Sequence, residues 1–311
     1  MNANPRTAYG ETLVELGKTN ERIVVLDADL CKSTMGVMFE NAFPERHFEM
    51  GIAEANMAAV AAGLSLTGKI PFIASFAAFV PGRCYDQIRT SICIPGLNVK
   101  LCGSSAGLSD FGDGSTHQSI DDIALMRVLP GMQVFSPADA IQTAQIVKYM
   151  AANEGPMYIR VNRNDLPLLT PEEQEFTPGK VYTMLEGDDV AIFATGITVS
   201  IALEAAKELA GKGIRAKVLN VPSIKPLNEN EVLDICDSTK AFITAEEHSV
   251  IGGLGDAVGS IVAPKLARRH IRVGIQDIFG TSAQNYQVLL ESYGFLPGTL
   301  VNAVLESLNE N

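Results

Sequence analysis

Short runs of β-branched and apolar residues alternate with helix-length segments along nearly the whole chain, and this alternation restricts the fold more than any other feature. ERIVVLDAD, KIPFIAS, LNVKLCG, MQVFS and PMYIRV read as strands. Arg6–Lys18, Ala53–Leu66, Ser119–Val128 and Ala138–Ala152 read as the helices between them. Strands that are apolar almost continuously belong in a mostly parallel sheet covered on both faces. The rhythm breaks at Asn162–Lys180, which carries three prolines and an acidic run with no sustained period. A second series follows: DVAIFATG, RAKVLNV, AFITAEE and IRVGI as strands, with Val199–Ala210, Glu229–Cys236, Gly253–Arg268 and Thr299–Leu308 as helices. The expectation is α/β architecture in two consecutive domains, 1–170 and 187–311, joined by a linker over 171–186.

A chain of 311 residues that is 47% hydrophobic and 19% charged can fill two such cores, which excludes a disordered or fibrous chain. The formal net charge of −12 argues against a broad nucleic-acid surface, although a few local arginines can still hold a small anion. The opening MNANPRTAYGETL has no apolar core of the signal-peptide kind, and Met57–Leu66 is too short and too rich in alanine to span a bilayer. Five cysteines without CxxC spacing point to free thiols in a reducing cytoplasm rather than to disulfides or zinc, and no metal ligand set is assigned.

Four segments carry chemistry. In FEMGIAEANMAAVAAG, Glu54 falls in the first turn of a helix whose Ala55, Ala58, Ala59, Ala61, Ala62 and Gly63 leave it smooth enough for close approach at a subunit interface. Glu54 is either an acid favoured by the helix dipole or a carboxyl placed for proton exchange with a nitrogen heterocycle. In IASFAAFVPGRCYDQIR, Phe76 and Phe79 are core residues or a flat wall against a cofactor ring. The Gly-rich stretch from Gly103 to Asp122 is long and polar enough to line a site, and it holds Asp110, Asp113 and His117. Its GDG has no paired downstream asparagine, so it is not read as a metal–diphosphate motif. Arg160 and Arg163 flank a strand end, where a planar guanidinium suits phosphate or carboxylate, unless both serve salt bridges. In the second half, ATGITVS and EEHSVIGGLGDAVG place small residues at strand-to-helix turns able to bind phosphate. GGLG lacks the GxGxxG register, so NAD binding is not read from it.

Taken in order, DADLCKS, FEMGIAEAN, SFAAF, GDGSTHQSIDD, LPGMQVFSPADA, IRVNRNDLP, ATGITVSIALEAAKEL, VLNVPSIKPL and EEHSVIGGLG resemble the C-terminal half of a transketolase encoded as a separate subunit. The resemblance runs over essentially the whole chain. It implies a pyrimidine-binding domain followed by the family's C-terminal domain. It further implies thiamine diphosphate as cofactor, with Mg2+ or another divalent cation held by an N-terminal partner subunit in an α2β2 heterotetramer. Glu54 then matches the glutamate that hydrogen-bonds the aminopyrimidine ring and favours the tautomer needed for proton removal at the reactive carbon. Phe76 and Phe79 match the aromatic wall, with Phe79 the stacking residue, and Asp29 matches an acid near the cofactor. Asp113 and His117 match contacts to the donor hydroxyls, with His117 also aiding proton transfer. Arg163, Ser33 and Arg6 match contacts to the substrate phosphate.

Three positions depart from the family pattern. Ala55 stands where a histidine or glutamine is usual, Ser105 stands near a substrate-binding histidine, and VPGR lacks a tyrosine after the phenylalanines. They bear on substrate choice rather than on the cofactor. The same architecture also serves 1-deoxyxylulose-5-phosphate synthase-like condensation and the β subunits of 2-oxoacid dehydrogenases, and a scaffold subunit without catalytic groups is a further reading. The GDGSTHQ loop and Arg163 favour a sugar phosphate over a 2-oxo acid.

Overall fold

Every residue of Ile23–Asp27 is shielded from solvent, and neighbouring side chains leave the strand in opposite directions into different cores. Ile23 and Val25 meet Tyr9, Leu13, Phe72 and Ile146 on one face, whereas Val24 and Leu26 meet Met57, Ala58 and Ile73 on the other. This is the two-sided burial that the unbroken apolar runs require. The computed structural model describes residues 1–308.

In chain order the strands are β1 (Asn2–Ala3), β2 (Ile23–Asp27), β3 (His47–Glu49), β4 (Ile70–Phe76), β5 (Lys100–Ser104), β6 (Gln133–Phe135), β7 (Met157–Val161) and β8 (Leu166–Pro167) in the first half. They continue with β9 (Tyr182–Leu185), β10 (Val190–Ala194), β11 (Ala216–Asn220), β12 (Ser223–Lys225), β13 (Ala241–Ser249) and β14 (Arg269–Ile275). Among the described residues the first sheet has seven strands, ordered β12-β6-β7-β5-β4-β2-β3, and only the β12–β6 pairing is antiparallel. The second sheet has five, ordered β14-β13-β10-β11-β9, with β9 antiparallel at its edge. The chain runs outward from β2 to β3 and then returns to β4 on the other side. The strand ends at β2 and β4 therefore form the kind of crevice in which open α/β sheets bind ligands.

Two expectations need correction. Residues 171–186 are not a free linker: Tyr182–Leu185 is strand β9, and the backbone before it is tied down. Asp139 caps the helix Ala140–Ala152 through Gln142 and uses its other oxygen to accept the amides of Leu169 and Thr170 at 2.7 and 2.6 Å. Nor are the halves separate sheets joined end to end, because Ser223–Lys225, from the second half, pairs with β6 of the first. One core spans the junction, with Val134 and Leu129 in the same cluster as Val221, Phe242 and Leu254. Four helix bounds also shift by two residues or more: Ser119–Val128 is observed as Asp122–Arg127, Ala138–Ala152 as Ala140–Ala152, Gly253–Arg268 as Leu254–Val262, and Thr299–Leu308 as Pro297–Leu308.

Buried polar groups close the junction. Arg160 pairs with Asp122 at 2.9 Å and donates to the Glu247 carbonyl at 3.2 Å. A Glu247 carboxylate oxygen accepts the Leu108 amide at 2.8 Å, and burial pushes its carboxyl up to about 7. Gln118, also buried, donates to the carbonyls of Asp110 and Thr281 at 3.1 and 3.0 Å. The Gln118–Thr281 and Leu108–Glu247 bonds pin the 103–122 loop against the second half. They fix one wall of the crevice.

Candidate active site

The turn after β2 is built around a buried acid. Asp27 accepts the Leu30 amide at 2.6 Å and the Thr34 hydroxyl at 2.9 Å, and burial raises its carboxyl to about 6. Those bonds hold the following backbone so that Asp29 takes a positive φ of 59°, a conformation aspartate tolerates better than most residues. Glu49 accepts the Asp29 amide at 2.9 Å and the Gly51 amide at 2.7 Å, joining this turn to the one that leads into the next helix. Asp29 and Ser33 line one wall of a cavity of about 370 Å3, and Arg6 donates to the Ser33 carbonyl at 2.9 Å. Burial first, and then the charge of Arg163, lower the proton affinity of Arg6. Two guanidinium groups within each other's field make a natural seat for an anion.

Glu54 opens the helix Glu54–Leu66 and is 4% exposed. Its carboxylate makes no capping bond to the helix and instead accepts from Arg83 at 2.6 Å. The Arg83 guanidinium also lies over Phe79, 3.9 Å from the ring centre. Phe76 and Phe79 stack 5.7 Å apart, and His117 meets both edge-on, at 6.0 and 5.3 Å. The Thr116 hydroxyl, 2.9 Å from His117 Nδ1, sets the ring's orientation.

Arg163 closes the row from the other side. Its guanidinium is 5.6 Å from the Phe76 ring, and one nitrogen is held by Asp110 at 2.9 Å with the Ser105 hydroxyl at 3.4 Å. Burial raises the Asp110 carboxyl, and Arg163 opposes that shift. Ser105, at the departure from the family pattern, is buried with φ +56°. Asp113 is exposed at the rim of the loop, its amide turned to the Asp110 carboxylate.

The structure therefore gathers Glu54, Phe76, Phe79, His117 and Arg163 into one continuous set of contacts, with Arg6, Ser33 and Asp29 along the neighbouring wall and Asp113 at the rim. Arg160 is not part of it, since its charge is spent on Asp122 inside the junction. The turns of the second half are not anion sites either. Glu246 takes the Leu254 and Gly255 amides at 2.6 and 2.8 Å, and the Thr198 hydroxyl takes the Thr195 amide at 3.2 Å. Sequence reasoning assigned no role to Arg83 or Glu49. The only sign of Arg83 was its place four residues after Phe79, one turn on.

Residues 2–168 match the transketolase pyrimidine-binding domain, and residues 179–299 match the transketolase C-terminal domain. The chain belongs to the transketolase family. It is 41% identical over 309 residues to a protein of Methanocaldococcus jannaschii described as a transketolase C-terminal section, covering 98% of this chain and 96% of that one. It is 43% identical over 301 residues to a 6-deoxy-6-sulfo-D-fructose transketolase subunit of a Clostridium species, covering 97% and 93%. A solved split-gene transketolase, an inactive β4 tetramer, superposes with a TM-score of 0.90 at 48% identity over 99% of both chains.

The family depends on thiamine diphosphate, and the crevice fits the ring end of that molecule. A guanidinium is a planar, cationic nitrogen group. Here Arg83 donates to Glu54 while lying on Phe79, and an aminopyrimidine would use the same carboxylate and the same ring face.

Proposed function

We propose that this chain is the pyrimidine-binding half of a two-subunit transketolase, moving a two-carbon ketol unit from a ketose with an anionic end group to an aldose phosphate. One observation carries the reading: Glu54, Arg83, Phe79, Phe76, His117 and Arg163 form an unbroken chain of side-chain contacts by the β2/β4 switch point, and Arg6 lies in the field of Arg163. Bound thiamine diphosphate supplies the nucleophilic carbon that receives the ketol unit. Glu54 would hydrogen-bond the ring nitrogen and hold a proton there, Phe79 would cover the ring face, and Phe76 would back Phe79. His117, steered by Thr116, meets the donor hydroxyls with Asp113 and exchanges a proton with them. Arg163, clamped by Asp110, joins Arg6 and Ser33 in holding the anionic end.

The diphosphate and its divalent cation are assigned to an N-terminal partner subunit. In support, Asn56, Ala59, Gly63 and Leu66 form an open face on the Glu54 helix, and a Cβ added at Gly63 would meet nothing within 4 Å. A backbone from another chain can approach that face closely. The assembly that follows is an α2β2 heterotetramer in the cytoplasm, in keeping with five free thiols. Phosphate and sulfonate share the tetrahedral oxyanion that a pair of arginines recognises, and a relative named for a sulfonated ketose supports testing both.

The test is reconstitution with the partner subunit, followed by assay with fructose 6-phosphate or 6-deoxy-6-sulfofructose as donor and an aldose phosphate as acceptor. Ketol transfer that requires both subunits is expected, and preference between the two donors identifies the end group. Decarboxylation of pyruvate without ketol transfer, or full turnover by this chain alone, overturns the proposal.

A further inference from the structure

We propose that Cys31, Glu40 and His47 form a binding site for one borderline-soft divalent transition metal, of which zinc is the chemical type. The three side chains come from different short elements: Cys31 from the turn of helix after β2, Glu40 from the helix Val37–Ala42, and His47 from the start of β3. Cys31 Sγ lies 3.5 Å from His47 Nε2 and 3.4 Å from Glu40 Oε2, and one donor atom from each residue falls within 4.8 Å of the others. A tetrahedral zinc with a thiolate at about 2.3 Å and nitrogen or oxygen at about 2.0–2.1 Å places its ligands roughly 3.3–3.6 Å apart. Two sides of the observed triangle already have that length. The third side, between Glu40 and His47, is bounded only by 4.8 Å, and Glu40 is the exposed member, so a rotation of its side chain closes the gap.

The surroundings favour a soft dication over a simple hydrogen-bond cluster. The His47 side chain is 3% exposed and fixed by packing, which pre-organises its nitrogen. Asp27 and Glu49 add negative field at Cys31, so four carboxyl or thiol groups face a small region of a chain already at −12. Cys31 also lines the cavity shared with Asp29 and Ser33, which gives a metal an entry path. Thiolate and imidazole select zinc-type ions over the oxygen-preferring cations that accompany diphosphates. Binding is balanced by one proton: the thiol of Cys31 loses H+ to solvent as its sulfur bonds the metal, so affinity rises with pH. The three ligands leave a fourth tetrahedral position for water. Spacings of nine and seven residues match no zinc signature, which is why the sequence concealed this cluster.

Cobalt(II) is the probe, added to the full chain alone and to the chain with its partner subunit. One equivalent is expected to produce intense tetrahedral d–d bands and a near-ultraviolet thiolate-to-cobalt band, and zinc is expected to abolish both by displacement. C31S removes the near-ultraviolet band and weakens binding by about 100-fold or more, since even an outer-shell substitution commonly costs 10- to 100-fold. E40Q, on the surface, weakens binding without touching the core, which keeps the test valid should H47Q fail to fold. A cobalt spectrum that stays weak and octahedral in the wild-type chain overturns the proposal. So does a near-ultraviolet band that survives C31S, or affinity indifferent to E40Q.

Discussion

Replacing Arg83 with methionine separates two effects that oppose each other. Arg83 sits 2.6 Å from a nearly buried Glu54 and 3.9 Å above the Phe79 ring, on the surfaces proposed for the cofactor ring. A hydrogen bond between charged groups contributes about 1.5–3 kcal/mol, and a cation over an aromatic face at a wet site about 0.5–1 kcal/mol. Half of the Arg83 side chain is exposed. Solvent screening therefore reduces the sum to about 1–2 kcal/mol. A ring that must displace this contact binds more weakly by that amount, roughly 5- to 30-fold. R83M is thus expected to bind thiamine diphosphate about 5- to 30-fold more tightly in the assembled enzyme, read by titration calorimetry. The same variant, with Glu54 left unpaired, is expected to melt a few degrees lower as an isolated chain, read by calorimetric scanning. Opposite signs on the two readouts are the signature. Weaker or unchanged cofactor binding, together with an unchanged melting temperature, would refute the idea that Arg83 holds the ring seat.

Three further outcomes follow from the site. Glu54→Gln keeps the side-chain volume and removes the acid, so turnover of the assembled enzyme should fall by about 10²- to 10⁴-fold while size-exclusion chromatography shows intact assembly. Arg163→Ala should lower kcat/KM by about 30- to 150-fold for a donor ending in phosphate, the equivalent of a 2–3 kcal/mol contact, and leave the rate with an uncharged ketose unaffected. Asp27, with its carboxyl raised to about 6, binds its proton more tightly folded than unfolded; its stabilisation is complete below about pH 4 and is lost as pH rises through about 6. Wild-type stability should accordingly fall between pH 5 and 7 by about 1–1.5 kcal/mol more than that of Asp27→Asn, and parallel curves for the two proteins would remove Asp27 as the cause.

Much of the architecture was legible because burial on both faces of a parallel sheet leaves its mark directly in the chain. IVVLD and IPFIASF could scarcely be anything else. What escaped was long-range pairing. Ser223–Lys225 is three residues long and could join either sheet, and no local pattern tells it to cross to β6. Tyr182–Leu185 read as linker because an antiparallel edge strand with two exposed positions lacks the apolar density of the inner strands. At the site, Glu54, Phe76, Phe79, His117 and Arg163 could be singled out from their type and place, and Asp29, Ser33 and Arg6 only from the resemblance. Residues that act through geometry could not. Arg83 looked like a surface arginine until its partners, 4 and 29 residues away in the chain, were placed against it. Arg160 misled in the opposite sense, since nothing in YIRVNRN distinguishes the arginine that turns inward to Asp122 from the one that faces the crevice.

The crossing of Ser223–Lys225 governs where a gene of this kind can be divided. A break near residue 175 would strip β6 of its outer neighbour and bare the apolar seam beneath, creating an edge prone to sticking to other chains.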